Sequence, residues 1–162
     1  MDDFYRMQSF VLLIWLVLCA AQDVQQRHIA NSLTLGAGLL ALIYLLWTGT
    51  TWLGAPAAQG GWALLLALLF TVPGYALGRL GAADVKLMAT IGLATDNLHL
   101  LGSFIGAGVA GGLWLLIAPI LWPHMSQGLR GRLQYLAPEL SKKPPFAPFV
   151  LIGMLLTLPW AH

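Results

Sequence analysis

Six carboxylate side chains occur in the chain, and two of them stand where they could do chemistry. Asp2 and Asp3 are at the amino terminus, Asp96 falls in a short turn and Glu139 in a polar stretch, and all four read as solvated charges. Asp23 and Asp84 differ, because each lies at the edge of an apolar run. Asp23 follows residues 7–22, at what should be a helix carboxy end, where the helix dipole opposes an anion. Arg27, four residues on, pairs with it if the helix continues, so an interfacial ion pair is one reading of Asp23. Asp84 precedes Val85-Lys86-Leu87-Met88, and a helix N-cap is one reading of it. Together the two acids offer something else. Carboxylates held close do not both ionise easily, so one keeps a proton while the other accepts a proton from an attacking water. The protonated partner can then donate to a scissile carbonyl as the tetrahedral species forms. That is the chemistry of an aspartic peptidase, and such a pair titrates as a unit.

The elements that must hold these acids are membrane helices. The 162 residues are 59% hydrophobic and 9% charged, with a mean hydropathy of +0.78. A soluble domain carries about 45–50% apolar and about 25% charged residues, so a water-soluble single-core domain is excluded, as are disorder, collagen and coiled coil. The net charge is +2 and the bases are scattered, with no basic, aromatic-interleaved face for nucleic acid. Cys19 is the single cysteine and lies inside an apolar run, which suits packing rather than a disulfide or zinc site. His28, His99, His124 and His162 show no metal-ligand spacing, and no cofactor is expected. The residues before the first run hold two acids against one base, the wrong sign for a signal peptide, so that run reads as a retained helix.

The spacing predicts an all-α, polytopic membrane domain over residues 1–162 with six transmembrane helices, at about 4–22, 31–47, 62–78, 85–95, 98–122 and 146–160. Asn31 can cap the second, Pro73-Gly74 should kink the third, and the fourth is brief for a full crossing. The glycines of the fifth, Gly102, Gly106, Gly108, Gly111 and Gly112, make a small-residue face for close helix packing. Residues 123–145 form the one long polar loop. Trp47, Trp52, Trp62, Trp122 and Trp160, near helix ends, read as interface anchors. With the amino terminus outside, the inner loops hold Arg27, Arg79, Lys86, Arg130, Arg132, Lys142 and Lys143, and the outer regions only Arg6. This bias satisfies the positive-inside rule and puts Asp23 and Asp84 on the inner side.

Three segments resemble the type IV prepilin peptidases. Asp23-Val24-Gln25-Gln26-Arg27-His28-Ile29-Ala30-Asn31 is similar to their D-x-x-x-R-x-I-P-N, and Gly81-Ala82-Ala83-Asp84-Val85-Lys86-Leu87 to their G-x-G-D-x-K-L. Pro145-Phe146-Ala147-Pro148 resembles the P-Y-x-P that opens their last helix. The short chain is most like the small peptidases serving Flp-type (tight-adherence) pili. The resemblance implies that Asp23 and Asp84 are the catalytic pair of a membrane aspartic endopeptidase in the bacterial inner membrane, facing the cytoplasm. It implies a pilin-precursor substrate whose short basic leader is cut off at a glycine just before its hydrophobic helix. Ala83 replaces the family's second glycine, which bears on close approach of the substrate or on a positive φ. Ala30 replaces its proline. No CxxC-bearing domain accompanies the peptidase segments, so methyl transfer is not supported.

Among supporting residues, Gly81 lets the loop bend ahead of Asp84, and Asn31 caps the second helix or bonds across to the first loop. Lys86 enforces topology, Arg27 is open between topology and an anionic partner, and Pro148 shapes the start of the last helix. Two other classes compete with the peptidase. One is a non-enzymatic membrane subunit of a pilus or secretion assembly whose acids form structural pairs. The other is a small transporter with a carboxylate relay, which would want its acids near mid-membrane.

Overall fold

A computed structural model describes residues 2–138 and 144–160, the side chain of Trp160 excepted. Glu139, Lys142, Lys143 and His162, and the anchoring role expected of Trp160, lie outside the described residues. Apolar runs between sparse charges become helices: α1 (Asp2–Gln26), α2 (Asn31–Thr48), α3 (Ala57–Ala76), α4 (Ala82–Ala94), α5 (Asn97–Leu121), α6 (Gln127–Arg132) and α7 (Ala147–Thr157). α3 begins five residues ahead of its expected start, because Pro56 supplies its N-cap, and it continues through Pro73 to Ala76.

Among the described residues, four stretches are long and apolar enough to cross a membrane: α1, α2, α3 and the continuous Asn97–His124. The six expected spans thus meet a limit of length. α4 has 13 residues and α7 has 11, about 20 and 16 Å of rise against a hydrocarbon core of about 30 Å. At its carboxy end α4 is extended by chain from elsewhere. The turn between α2 and α3, closed by the Thr50–Pro56 bridge, folds back so that the Leu53 N–H donates to the Ala94 carbonyl at 3.1 Å. Thr51 is buried there, and the Trp52 indole N–H donates to the Gln8 carbonyl at 2.9 Å. Trp52 is therefore half-buried, edge-on to Tyr44, and not the interface anchor expected of it. Trp47 and Trp62 are exposed.

Small residues set the packing. α4 lies against α3 and α2, with Gly92 so close to Ala63 and Leu64 that a Cβ would come within 2.9 Å of their backbone. α5 and α7 run antiparallel, Gly102 facing Thr157, Gly106 facing Gly153 and Gly111 facing Phe149. Of the five expected glycines Gly108 and Gly112 take no part, having open space instead. Thr71, Thr90 and Thr95 are buried, and each hydroxyl donates to a carbonyl one turn back, which satisfies these three donors within an apolar interior. Cys19 is fully buried in the core.

α1 packs against α7, while an apolar groove of about 640 Å³ separates it from α2 and α4, lined by Trp15, Leu40, Tyr44 and Trp52 among others. The expected polar loop carries structure: a turn at Trp122–His124, α6 capped by Ser126, and a turn at Gln134–Leu136 whose last carbonyl accepts from the Trp114 indole at 3.0 Å.

Candidate active site

Asp23 sits one turn before the end of α1 and is buried, 5% exposed. An anion at that end meets the unfavourable pole of its own helix. The fold answers with another helix. The Asp23 Oδ2 accepts a hydrogen bond of 2.9 Å from the Ala147 backbone N–H, the first residue of α7. The carboxylate thereby occupies one of the donors that α7 leaves open, at its favourable pole. Pro148, the next residue, has no N–H to leave unsatisfied at this position and suits a helix start.

α1 ends at Arg27, which adopts φ +50°, the left-handed conformation more often given to glycine at a helix end. Its N–H still bonds the Asp23 carbonyl at 2.9 Å. Because the helix stops here, the Asp23–Arg27 ion pair that a continuing helix would allow does not form; the one ion pair among the described residues is Asp96–His99.

Asn31 is the first residue of α2, not its cap: Ala30 holds the cap position and no side chain bonds the helix end. The Asn31 Oδ1 instead accepts from the Lys86 Nζ of α4 at 2.9 Å. Lys86 is thus half-buried and held against α2. Three residues further along α2 and four along α4, the Thr90 hydroxyl lies 3.1 Å from the Thr34 carbonyl, so α2 and α4 run side by side in the same direction.

Asp84 is in the first turn of α4 and half-buried. The cap position belongs to Gly81, and Asp84 reaches back so that its Oδ2 accepts from the Gly81 N–H at 2.8 Å. Gly81 has φ −87° and ψ 161°, extended backbone open to any residue, so the bend expected of it falls at Gly78, φ +70°. Ala83 is inside α4 with ordinary helical geometry, and no positive φ is forbidden by its methyl.

The end of α1 and the starts of α2, α4 and α7 therefore meet at one end of the bundle, tied by Asp23–Ala147 and Asn31–Lys86. Asp23, Arg27, Asn31, Gly81, Asp84, Lys86 and Pro148 all belong to these termini. The family model of the type IV leader peptidases matches residues 10–116, more than half of the chain and including both the Asp23 and the Asp84 segments. The chain belongs to the type IV leader peptidase family. No curated protein and no solved structure matches it. As a leader peptidase family member it is a protease built on apolar helices, and its family match stops short of residues 145–148. The Asp23–Ala147 bond ties the start of α7 to the matched region, as does the packing of α7 on α5 and α1.

Two features escaped the sequence reading. Gln22 accepts from the Ala30 N–H at 3.0 Å, closing the connection between α1 and α2. At the opposite end of the bundle, Asp96 is no solvated charge. It caps α5 through the His99 N–H and pairs with the buried His99 ring, both at 2.9 Å, beside a pocket of mixed lining that includes Tyr5, Ser9 and Gln59. An Asp three residues before a His, at the start of an apolar run, was the available signal. No group of three metal-ligating side chains occurs among the described residues.

Proposed function

We propose that the protein is a membrane-embedded aspartic endopeptidase that removes the leader from pilin precursors of the Flp type at the cytoplasmic face of the bacterial inner membrane. Asp23 and Asp84 form the catalytic pair. One carboxylate takes a proton from water as the oxygen attacks the scissile carbonyl, and the protonated partner donates to the carbonyl oxygen. Collapse of the tetrahedral species breaks the C–N bond, and a proton from the pair passes to the leaving amine. The chain crosses the bilayer six times with its amino terminus outside, α4 and α7 crossing as short helices inside the bundle. The residues form a single peptidase domain, and the bilayer is its solvent.

The observation that carries this reading is the convergence of the two acid-bearing segments and the start of α7 at one helix-terminal end of the bundle. Substrate is cut where its own helix meets the membrane surface, and an acid pair at helix termini is at that height. Arg27 and Lys86 add positive charge at the same end, which suits an inner-face location.

A structural reading of the acids has its own support, since Asp23 caps α7 and Asp84 bonds Gly81. Asparagine separates the two readings, because it keeps an acceptor oxygen and loses the acid. Co-expression with an Flp-type pilin precursor, in a host lacking leader peptidase, should give mature pilin with the wild type and only precursor with Asp84→Asn. Equal processing by both would assign the acids to structure alone.

A further inference from the structure

The helix bearing Asp23 and the helix bearing Asp84 have different packing partners. α1 lies on α7, α4 lies on α2 and α3, and the apolar groove runs between them. Near the acids the two helices are connected by hydrogen bonds in series. The Gln22 Oε1, next to Asp23 in the chain, accepts from the Ala30 N–H at 3.0 Å. Asn31 follows Ala30, and its Oδ1 accepts from Lys86, two residues past Asp84, at 2.9 Å. The Trp15 indole also bonds the Leu33 carbonyl, at 2.9 Å, but two turns away from Asp23 along α1.

We infer that Gln22 is a positioning residue for the Asp23–Asp84 pair, its bond to Ala30 setting where the end of α1 stands against the α2–α4 unit. The inference rests on the aspartic peptidase reading. The connection it braces needs bracing, since it leaves α1 through Arg27 at φ +50°. Ala30 has φ −57°, within the range that proline fixes at about −65 ± 15°. A proline at residue 30 keeps this backbone and has no N–H, so it replaces the Gln22 brace with a covalent one.

This interchange supplies the test. Gln22→Met preserves side-chain length and helix preference while removing the acceptor. Wild type, Gln22→Met, Ala30→Pro and the double variant are purified in bicelles. Each is measured for kcat and KM on a pilin precursor and for backbone hydrogen exchange over residues 24–33. Gln22→Met should lower kcat about tenfold with KM nearly unchanged, since small misplacement of catalytic groups costs rate rather than binding. Its exchange over residues 24–33 should quicken. Ala30→Pro should stay within about threefold of wild type, and the double variant should match Ala30→Pro in both readouts. Gln22→Met at wild-type rate and exchange, or a loss that Ala30→Pro does not restore, would overturn the inference. If the wild type itself cleaves no precursor, the peptidase reading fails separately. The exchange comparison then decides whether Gln22 braces the connection at all.

Discussion

The carboxylate of Asp23 accepts a hydrogen bond of 2.9 Å from the backbone N–H of Ala147, 124 residues later in the chain. One residue thereby serves two helices, its side chain meeting the start of α7 and its backbone carbonyl accepting from Arg27 at the end of α1. The bond is buried, so its loss leaves an N–H with no partner in an apolar setting, at a cost of about 1–3 kcal/mol. Asp23→Ala should lower the midpoint of thermal unfolding in detergent, while Asp23→Asn, which keeps an acceptor oxygen, should stay near wild type. Identical midpoints for the two variants would show that the bond contributes nothing to the fold.

Arg27 holds a left-handed backbone, φ +50°, which costs an L-residue about 1–2 kcal/mol and glycine almost nothing. Arg27→Gly should therefore raise the unfolding midpoint, and Arg27→Ala should not. Comparing cleavage by the two variants isolates the backbone strain, since both lack the guanidinium and only Arg27→Ala keeps the strain. Equal midpoints would mean that the left-handed turn is not a source of strain.

The α5–α7 contact carries Ala147 to Asp23, and it depends on Gly153, where an added Cβ would collide with the Ser103 backbone. Gly153→Val should cost about 1–3 kcal/mol of stability by overpacking and should depress leader removal with it. Gly112 faces open space inside α5, and Gly112→Ala should not destabilise, raising stability by up to about 1 kcal/mol. A chemical-denaturant series in mixed micelles reads both. A Gly153→Val protein as stable as Gly112→Ala would remove the glycine seam from the account.

At the far end of the bundle, burial pushes the Asp96 carboxyl up, but the His99 ring, the backbone N–H groups of His99 and Leu98 and the His99 charge outweigh it. The carboxyl is held below its ordinary value. A folded value below the unfolded one means that the pair stabilises the fold above the ordinary carboxylate range. That contribution fades as pH falls below about 4 and through the folded value. The wild-type unfolding midpoint should drop over that acid window, and Asp96→Asn should flatten this part of the profile. A variant with the wild-type pH dependence would contradict the assignment.

Cysteine substitutions in a Cys19→Ser background test the six-crossing arrangement. Ala55 lies in the turn before α3 and Gln127 in α6. A membrane-impermeant maleimide should label residue 55 from the periplasmic side of spheroplasts and residue 127 only after lysis. Labelling of both from one side would break the proposed topology.

Much of the fold was legible because charge is so scarce that each charged residue marks a helix boundary. The first two helices and the start of α5 fall within a few residues of expectation, and the brevity of α4 was visible between Asp84 and Asp96. What could not be read was contact across long separations. Nothing near Asp23 announces Ala147, and the turn holding Trp52 looked like surface when it folds onto Gln8 and Ala94. Asn31 and Gly81 were misassigned for a related reason. A cap motif is a statement about a backbone angle and a donor, and each was settled by a partner: Lys86 of the neighbouring α4 took the Asn31 oxygen, and Asp84 of the same helix took the Gly81 N–H. Gln22 gave no signal, since a glutamine near a helix end is ordinary until its acceptor is seen to close a connection.

The central claim is that Asp23 and Asp84 act as acids and not only as acceptors. The most direct test is the single-turnover cleavage rate of a purified pilin precursor by wild type, Asp23→Asn and Asp84→Asn in the same bicelles. Each variant is first shown to unfold at the wild-type temperature. The account predicts wild-type cleavage and a fall of at least about a thousandfold for either asparagine. Cleavage by a folded Asp84→Asn protein at the wild-type rate would contradict it.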